Sequence, residues 1–132
     1  LAGYYKYKAG DQFTEGGKPV EGKHDICDIY AIMYETSVSV PTLDGTNAFT
    51  SPNLVSMARI KDAKETDEWT YFKLPFTTLP GKFIDKEKLT MGKYNISIVF
   101  TSSLEGDHFN GAIGSTLLID EAELIYRSNL DH

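Results

Sequence analysis

The chain has a single cysteine, Cys27. No internal disulfide can form, and a lone thiol between Ile26 and Ile29 reads as a small buried hydrophobe, reduced and inert. No stretch approaches the ~20 apolar residues of a membrane-spanning helix, and no signal-peptide pattern is present. Long amphipathic helical patterns are missing too. Positive charge is in deficit: 13 Lys and Arg against 19 Asp and Glu give a formal charge of −6. That balance argues against nucleic acid as a partner and against attraction to an anionic membrane.

At 132 residues the chain is long enough for one domain, residues 1–132, with a real core. Eight Tyr and seven Phe point to strands and aromatic surfaces rather than helices. The sequence opens at Leu1 almost inside a strand pattern, as expected of a domain excised from a longer protein whose targeting signal lies upstream.

The chain is organised around Met91–Tyr126. Tyr94, Ile96, Ile98 and Phe100 alternate with Asn95, Ser97, Val99 and Thr101, the period-two signature of a strand with one buried face. A second strand is expected over Thr116–Tyr126, where the consecutive Leu117, Leu118 and Ile119 suit a strand covered on both sides at its start. Between the two lies a polar, glycine-containing segment with Ser102, Ser103, Glu105, Asp107 and His108.

Upstream, Gly3–Ala9 reads as a strand with Tyr5 and Tyr7 on one face and Tyr4, Lys6 and Lys8 on the other. Gly10–Lys23 reads as a loop. Asp25–Glu35 is a central strand, with Cys27, Ile29, Ala31 and Met33 on one face and Asp28, Tyr30, Ile32 and Tyr34 on the other. Ser37–Val40 either extends it or forms a short strand of its own, and Asp44-Gly45 marks a turn. Further strands are predicted over Leu54–Ile60 and Trp69–Phe76, the latter ended or placed at an edge by Pro75. Ile84–Leu89 can make one helical turn with Asp85 near its start. This spacing, with long connections, predicts an all-β antiparallel β-sandwich of Greek-key or jelly-roll type.

Four segments carry a resemblance: GYYKYKAGDQF at Gly3–Phe13, DICDIYAIMYE at Asp25–Glu35, LDGTN at Leu43–Asn47, and FTSSLEGDHFNGAIGSTLLIDEAEL at Phe100–Leu124. In that order they resemble the carbohydrate metabolism domain of Bacteroidetes surface lipoproteins, which is similar to carbohydrate-binding modules with a galactose-binding-like jelly roll. The resemblance implies that fold, an extracytoplasmic place at the cell surface, and a glycan or oligosaccharide partner taken up by a monomer.

Several constellations bear on chemistry. An aromatic ring can stack on the C–H face of a sugar while carboxylates and amides bind its hydroxyls. Asp28, Tyr30 and Tyr34 share one strand face, and Trp69, Tyr71 and Lys73 share another. If both faces belong to one sheet, Asp28, Tyr30, Trp69, Tyr71 and Lys73 make a sugar platform; otherwise they are packing or ordinary sheet surface. The resemblance implies a structural Ca²⁺ at Asp120, with Asp11 or Glu15 and backbone carbonyls completing its six to eight oxygens. The alternative is a carboxylate bonded to backbone amides or exposed at a strand end. His24, Asp25, Cys27 and Asp28 match no zinc spacing. Carboxylate pairs for glycoside hydrolysis can be drawn among Asp25, Asp28, Asp44, Glu105, Asp107, Asp120, Glu121 and Glu123, but 19 acids make such pairs by chance. The first reading is therefore a non-catalytic carbohydrate-binding or glycan-associated module of a bacterial cell-surface protein. A glycoside hydrolase-like enzyme and a structural or protein-interaction sandwich are the alternatives.

Overall fold

The computed structural model describes residues 1–37, 49, 51–104 and 111–125. Its strands are β1 (Ala2–Lys8), β2 (Phe13–Glu15), β3 (Lys18–Pro19), β4 (Asp28–Glu35), β5 (Leu54–Arg59), β6 (Thr70–Lys73), β7 (Thr77–Thr78), β8 (Tyr94–Thr101), β9 (Gly111–Ala112) and β10 (Thr116–Glu123); α1 (Lys86–Thr90) is a single short helix. They form three antiparallel sheets, ordered β10-β1-β6, β7-β5-β4-β8 and β3-β2-β9. The all-β sandwich expected from the alternation is what the chain forms.

The core lies between the two larger sheets. Tyr5 and Tyr7 of β1 and Phe72 of β6 meet Ile29 and Ala31 of β4, with Cys27 beside them. Leu117 and Ile119 of β10 and Ile96 of β8 pack against this cluster from the side. Tyr5 and Phe72 contact edge-on, with ring centroids 6.1 Å apart, a geometry that aligns a positive ring edge with a negative face. The opposite face of β4 is apolar too. Tyr30, Ile32 and Tyr34 form a second buried cluster with Leu54, closed by Met57, Leu79 and Val99. β4 is therefore the central strand, and its tyrosine face is covered.

Several expectations shift. The strand expected from Asp25 begins at Asp28, because the backbone and side chain of 25–27 serve a loop junction: Leu104 N–H donates to Ile26 C=O at 2.7 Å, and the Asp25 carboxylate is wrapped by hydroxyl and amide donors. The strand expected over Trp69–Phe76 is Thr70–Lys73, stopping short of Pro75. The expected loop Gly10–Lys23 contains the β2–β3 hairpin, whose turn residues Gly16 and Gly17 have φ of 57° and 85°. Both values lie in the left-handed region that a tight primed hairpin turn needs and glycine reaches without strain. Ile96, Ile98 and Phe100 pair with Met33, Ala31 and Ile29 of β4, but of the three only Ile96 packs against the core cluster. β8 is the last strand of its sheet, so Ile98 and Phe100 stay 41% and 38% exposed. Leu118 is 48% exposed, so β10 is covered on one face and not on both. The helical turn is present, with Asp85 as its N-cap accepting from the backbone N–H of Glu87 and Lys88. Residues 38–40 of the expected strand extension, the Asp44-Gly45 turn and Glu105, Asp107 and His108 lie outside the described residues.

Candidate functional site

β1 carries the site because its two faces are chemically opposite. Tyr5 and Tyr7 point into the core, while Tyr4 and Lys6 point outward. The register with β6 sets Tyr4 beside Tyr71, and the register with β10 sets Tyr4 beside Asp120. The outer face of this sheet therefore carries a row Tyr71–Tyr4–Asp120. Next to it, Leu118 is Lys6's partner on β10, and the Lys6 ammonium lies 4.9 Å from the centre of the Trp69 ring. Tyr4 and Tyr71 are tilted rings with centroids 5.3 Å apart. Exposure of 36%, 44% and 53% for Tyr4, Trp69 and Tyr71 makes these three rings a solvent-facing aromatic surface.

A cavity of about 690 Å³ opens beside this surface, between the free edge of β6 and the end of β5. Tyr71 and Lys73 line it, together with Arg59, Phe72 and Leu74. Its volume falls within the roughly 300–1,000 Å³ usual for small-molecule sites. On the other flank, a groove is lined by Tyr4, Tyr71, Glu121 and Glu123. Glu121 has a φ of 51°, next to the register shift of the β1–β10 pairing between Ala2 and Tyr4. Bulges of this kind re-aim side chains, and a non-glycine residue held in the left-handed region costs free energy.

The five residues predicted as a sugar platform are split by this architecture. Trp69, Tyr71 and Lys73 lie in or beside β6 of the three-stranded sheet, with the two rings on its outer face. Asp28 and Tyr30 lie on β4 of the other sheet and are buried. Asp28 is held by Arg59, whose Nε–H and Nη2–H donate to the two carboxylate oxygens at 3.2 and 2.8 Å. The same guanidinium stands 5.8 Å from the Tyr30 ring centre and 4.3 Å from that of Phe49. This is a forked ion pair under aromatic rings, and its acceptor atoms are already engaged.

Asp120 and Asp11 do not come together. Asp120 sits beside Tyr4, whereas Asp11 follows Lys8 at the far end of β1. Asp120 is exposed, and its carboxylate accepts from the adjacent Glu121 N–H at 2.9 Å. Among the described residues, no group of three or more His, Cys, Asp or Glu side chains is placed to hold a metal ion.

The buried carboxylate that ties the fold together is Asp25. Its Oδ2 accepts from Ser103 Oγ at 2.5 Å, Ser115 Oγ at 2.6 Å and Ala112 N–H at 3.0 Å. Ile26 N–H donates to Oδ1 at 3.0 Å. Nearby, the Tyr7 hydroxyl donates to Ser102 C=O at 2.7 Å. Burial pushes the Tyr7 hydroxyl up to about 12 and the Cys27 thiol up to about 11. These values mark both as protonated structural groups.

The sequence reading missed Tyr4 as a third ring, although its alternation with Tyr5 already placed it on the outer face. It also missed Arg59 as the partner of Asp28 and Glu121 as a strained residue. No local signal points to the last two, because both depend on strand pairing.

The family model of the Putative carbohydrate metabolism domain matches residues 1–125. The crystal structure of a putative glycoside hydrolase from Bacteroides thetaiotaomicron is similar at 89% identity with a TM-score of 0.94, covering 97% of this chain and 38% of that one. The crystal structure of a putative glycoside hydrolase from Bacteroides vulgatus is similar at 49% identity with a TM-score of 0.82, covering 90% of this chain and 48% of that one. This chain thus spans less than half the length of each. No curated protein matches it.

Proposed function

We propose, for a chain that belongs to the Putative carbohydrate metabolism domain family, that it is a non-catalytic glycan-binding module of a bacterial cell-surface protein. The observation that carries this reading is the outward row of Tyr4 and Tyr71 with Trp69 beside it. Rigid rings presented on a sheet lose little conformational freedom on binding and offer flat apolar area to sugar C–H faces. Lys6, Lys73, Asp120 and Glu121 surround them with donors and acceptors for hydroxyl groups.

The relatives' names favour a second reading, a part of a glycoside hydrolase. The geometry favours it less. Of the described acids, the buried Asp25 and Asp28 are engaged in structural hydrogen bonds. A general acid needs an accessible carboxyl facing a second one across the scissile bond.

The test is binding of the purified domain to a glycan array, followed by titration of the best oligosaccharide. Trp69→Ala and Tyr71→Ala are expected to weaken binding at least tenfold while leaving the melting temperature within a degree or two. Release of new reducing ends from that oligosaccharide would establish the enzyme reading instead. An array on which the domain binds nothing would remove the glycan-binding reading.

A further inference from the structure

The cavity beside Tyr71 has a charge pattern opposite to that of the chain. Arg59, Lys61, Lys64 and Lys73 line it against a single acid, Asp62, in a protein with six more acidic than basic residues. Lys61, Lys64 and Lys73 form no ion pair among the described residues. Arg59 spends two of its N–H donors on Asp28 and stays partly exposed. The wall between these cations is apolar, built by Tyr5, Phe72 and Leu74. Cations left unneutralised around a concave, apolar-walled site raise the local concentration of anions and favour ligands that carry them.

We propose that the cavity is a subsite for an anionic saccharide unit, one bearing a carboxylate or sulfate group. This rests on the glycan-binding reading and names its substrate class. The Tyr71 ring belongs to both the aromatic face and the cavity. A glycan lying across Tyr4 and Tyr71 therefore runs into the cavity, where Lys64 and Lys73 meet its acidic group and the apolar wall meets the C–H face of that sugar. A neutral sugar would leave the lysines without a counter-charge and would use only the aromatic face.

The test compares three probes by titration calorimetry on the intact domain: tetragalacturonate, a chondroitin sulfate tetrasaccharide, and neutral galactotetraose. At least one anionic probe is expected to bind tenfold or more tightly than galactotetraose, and which one distinguishes carboxylate from sulfate. Raising salt from 50 to 300 mM should weaken that binding at least fivefold, because the lysines are solvent-facing and screened. Lys61→Gln/Lys64→Gln should cut the anionic preference at least threefold while keeping galactotetraose binding and the melting temperature. Equal or tighter binding of galactotetraose by the wild type overturns the anionic subsite and leaves the glycan-binding reading standing. So does an unchanged anionic preference in the double variant. Absence of binding for all three probes overturns both.

Discussion

The Asp25 carboxylate accepts the Ser115 hydroxyl at 2.6 Å across 90 residues of chain. Together with Ser103 and the Ala112 amide, that bond joins the approach to β4, the end of β8 and the β9–β10 turn at one buried point. Glycine is required alongside: a Cβ on Gly111 would stand 2.8 Å from Ser103 Oγ, and one on Gly10 would stand 2.1 Å from the Ile113 carbonyl oxygen.

Asp25→Ala is therefore expected to be the most destabilising single carboxylate change in the domain. It leaves two hydroxyls and two amides without their charged acceptor, at a cost of about 3 kcal/mol or more. Asp25→Asn keeps the shape but presents a donor where donors converge, so it should recover only a part. Urea denaturation of the three proteins measures both effects. An Asp25→Ala midpoint equal to wild type would show that the donors find other partners.

Arg59→Met should unfold more easily because it strands the Asp28 carboxylate. Breaking a fully buried pair costs about 3–5 kcal/mol, and partial exposure of Arg59 brings the expected loss to about 2 kcal/mol. Adding Asp28→Asn to that variant should restore much of the loss. A double-mutant cycle in which the two losses simply add would show that the pair is not coupled.

Asp120→Ala should change stability by no more than about 0.5 kcal/mol, since the side chain is exposed and bonded only to its neighbour's amide. Glu121→Gly should raise stability by up to about 1 kcal/mol by relieving the positive φ. The two changes sit side by side on β10, so thermal melts of both separate backbone relief from loss of charge. A destabilised Glu121→Gly would mean that its side chain supports the bulge.

The raised Tyr7 and Cys27 values carry a pH dependence. Each group stays protonated in the fold to higher pH than in the unfolded chain, where Cys and Tyr ionise near 9 and 10. Their stabilising contribution is complete below those values and is lost as pH rises towards about 11 for Cys27 and about 12 for Tyr7. Lysines titrate there too, so the informative quantity is the difference from Cys27→Ala and Tyr7→Phe. Urea midpoints of Cys27→Ala should fall less steeply than wild type between pH 9 and 11, and those of Tyr7→Phe less steeply between pH 10 and 12. Parallel curves would contradict burial as the cause.

Much of the fold was legible because alternation is local. The doubly apolar 28–35 run became the central strand, and Asp85 capped α1. Sheet membership was not legible. Tyr30 and Trp69 carry the same kind of local signal, yet pairing with β5 and β8 sends one into a covered cluster, while the other ends up beside Lys6 on an open face. The same gap hid the buried clamp. Asp25 and Asp120 both border apolar runs, and only partners 78–90 residues away decide which is enclosed. The β2–β3 hairpin was missed, read as part of the loop Gly10–Lys23: its strands bury so little apolar surface that alternation gives no sign of them, although adjacent glycines are a hairpin-turn signal.

The central strand of the aromatic sheet is the first strand of the chain, and its two neighbours are Thr70–Lys73 and Thr116–Glu123. During synthesis β1 emerges long before either. At about 5–20 residues per second, it waits on the order of ten seconds for its last partner. The aromatic face consequently does not exist on a nascent chain that stops short of β10: Tyr4 acquires Tyr71 first and Asp120 only later. Assembly of the aromatic face and completion of its sheet are one kinetic event, dominated by contacts distant in sequence.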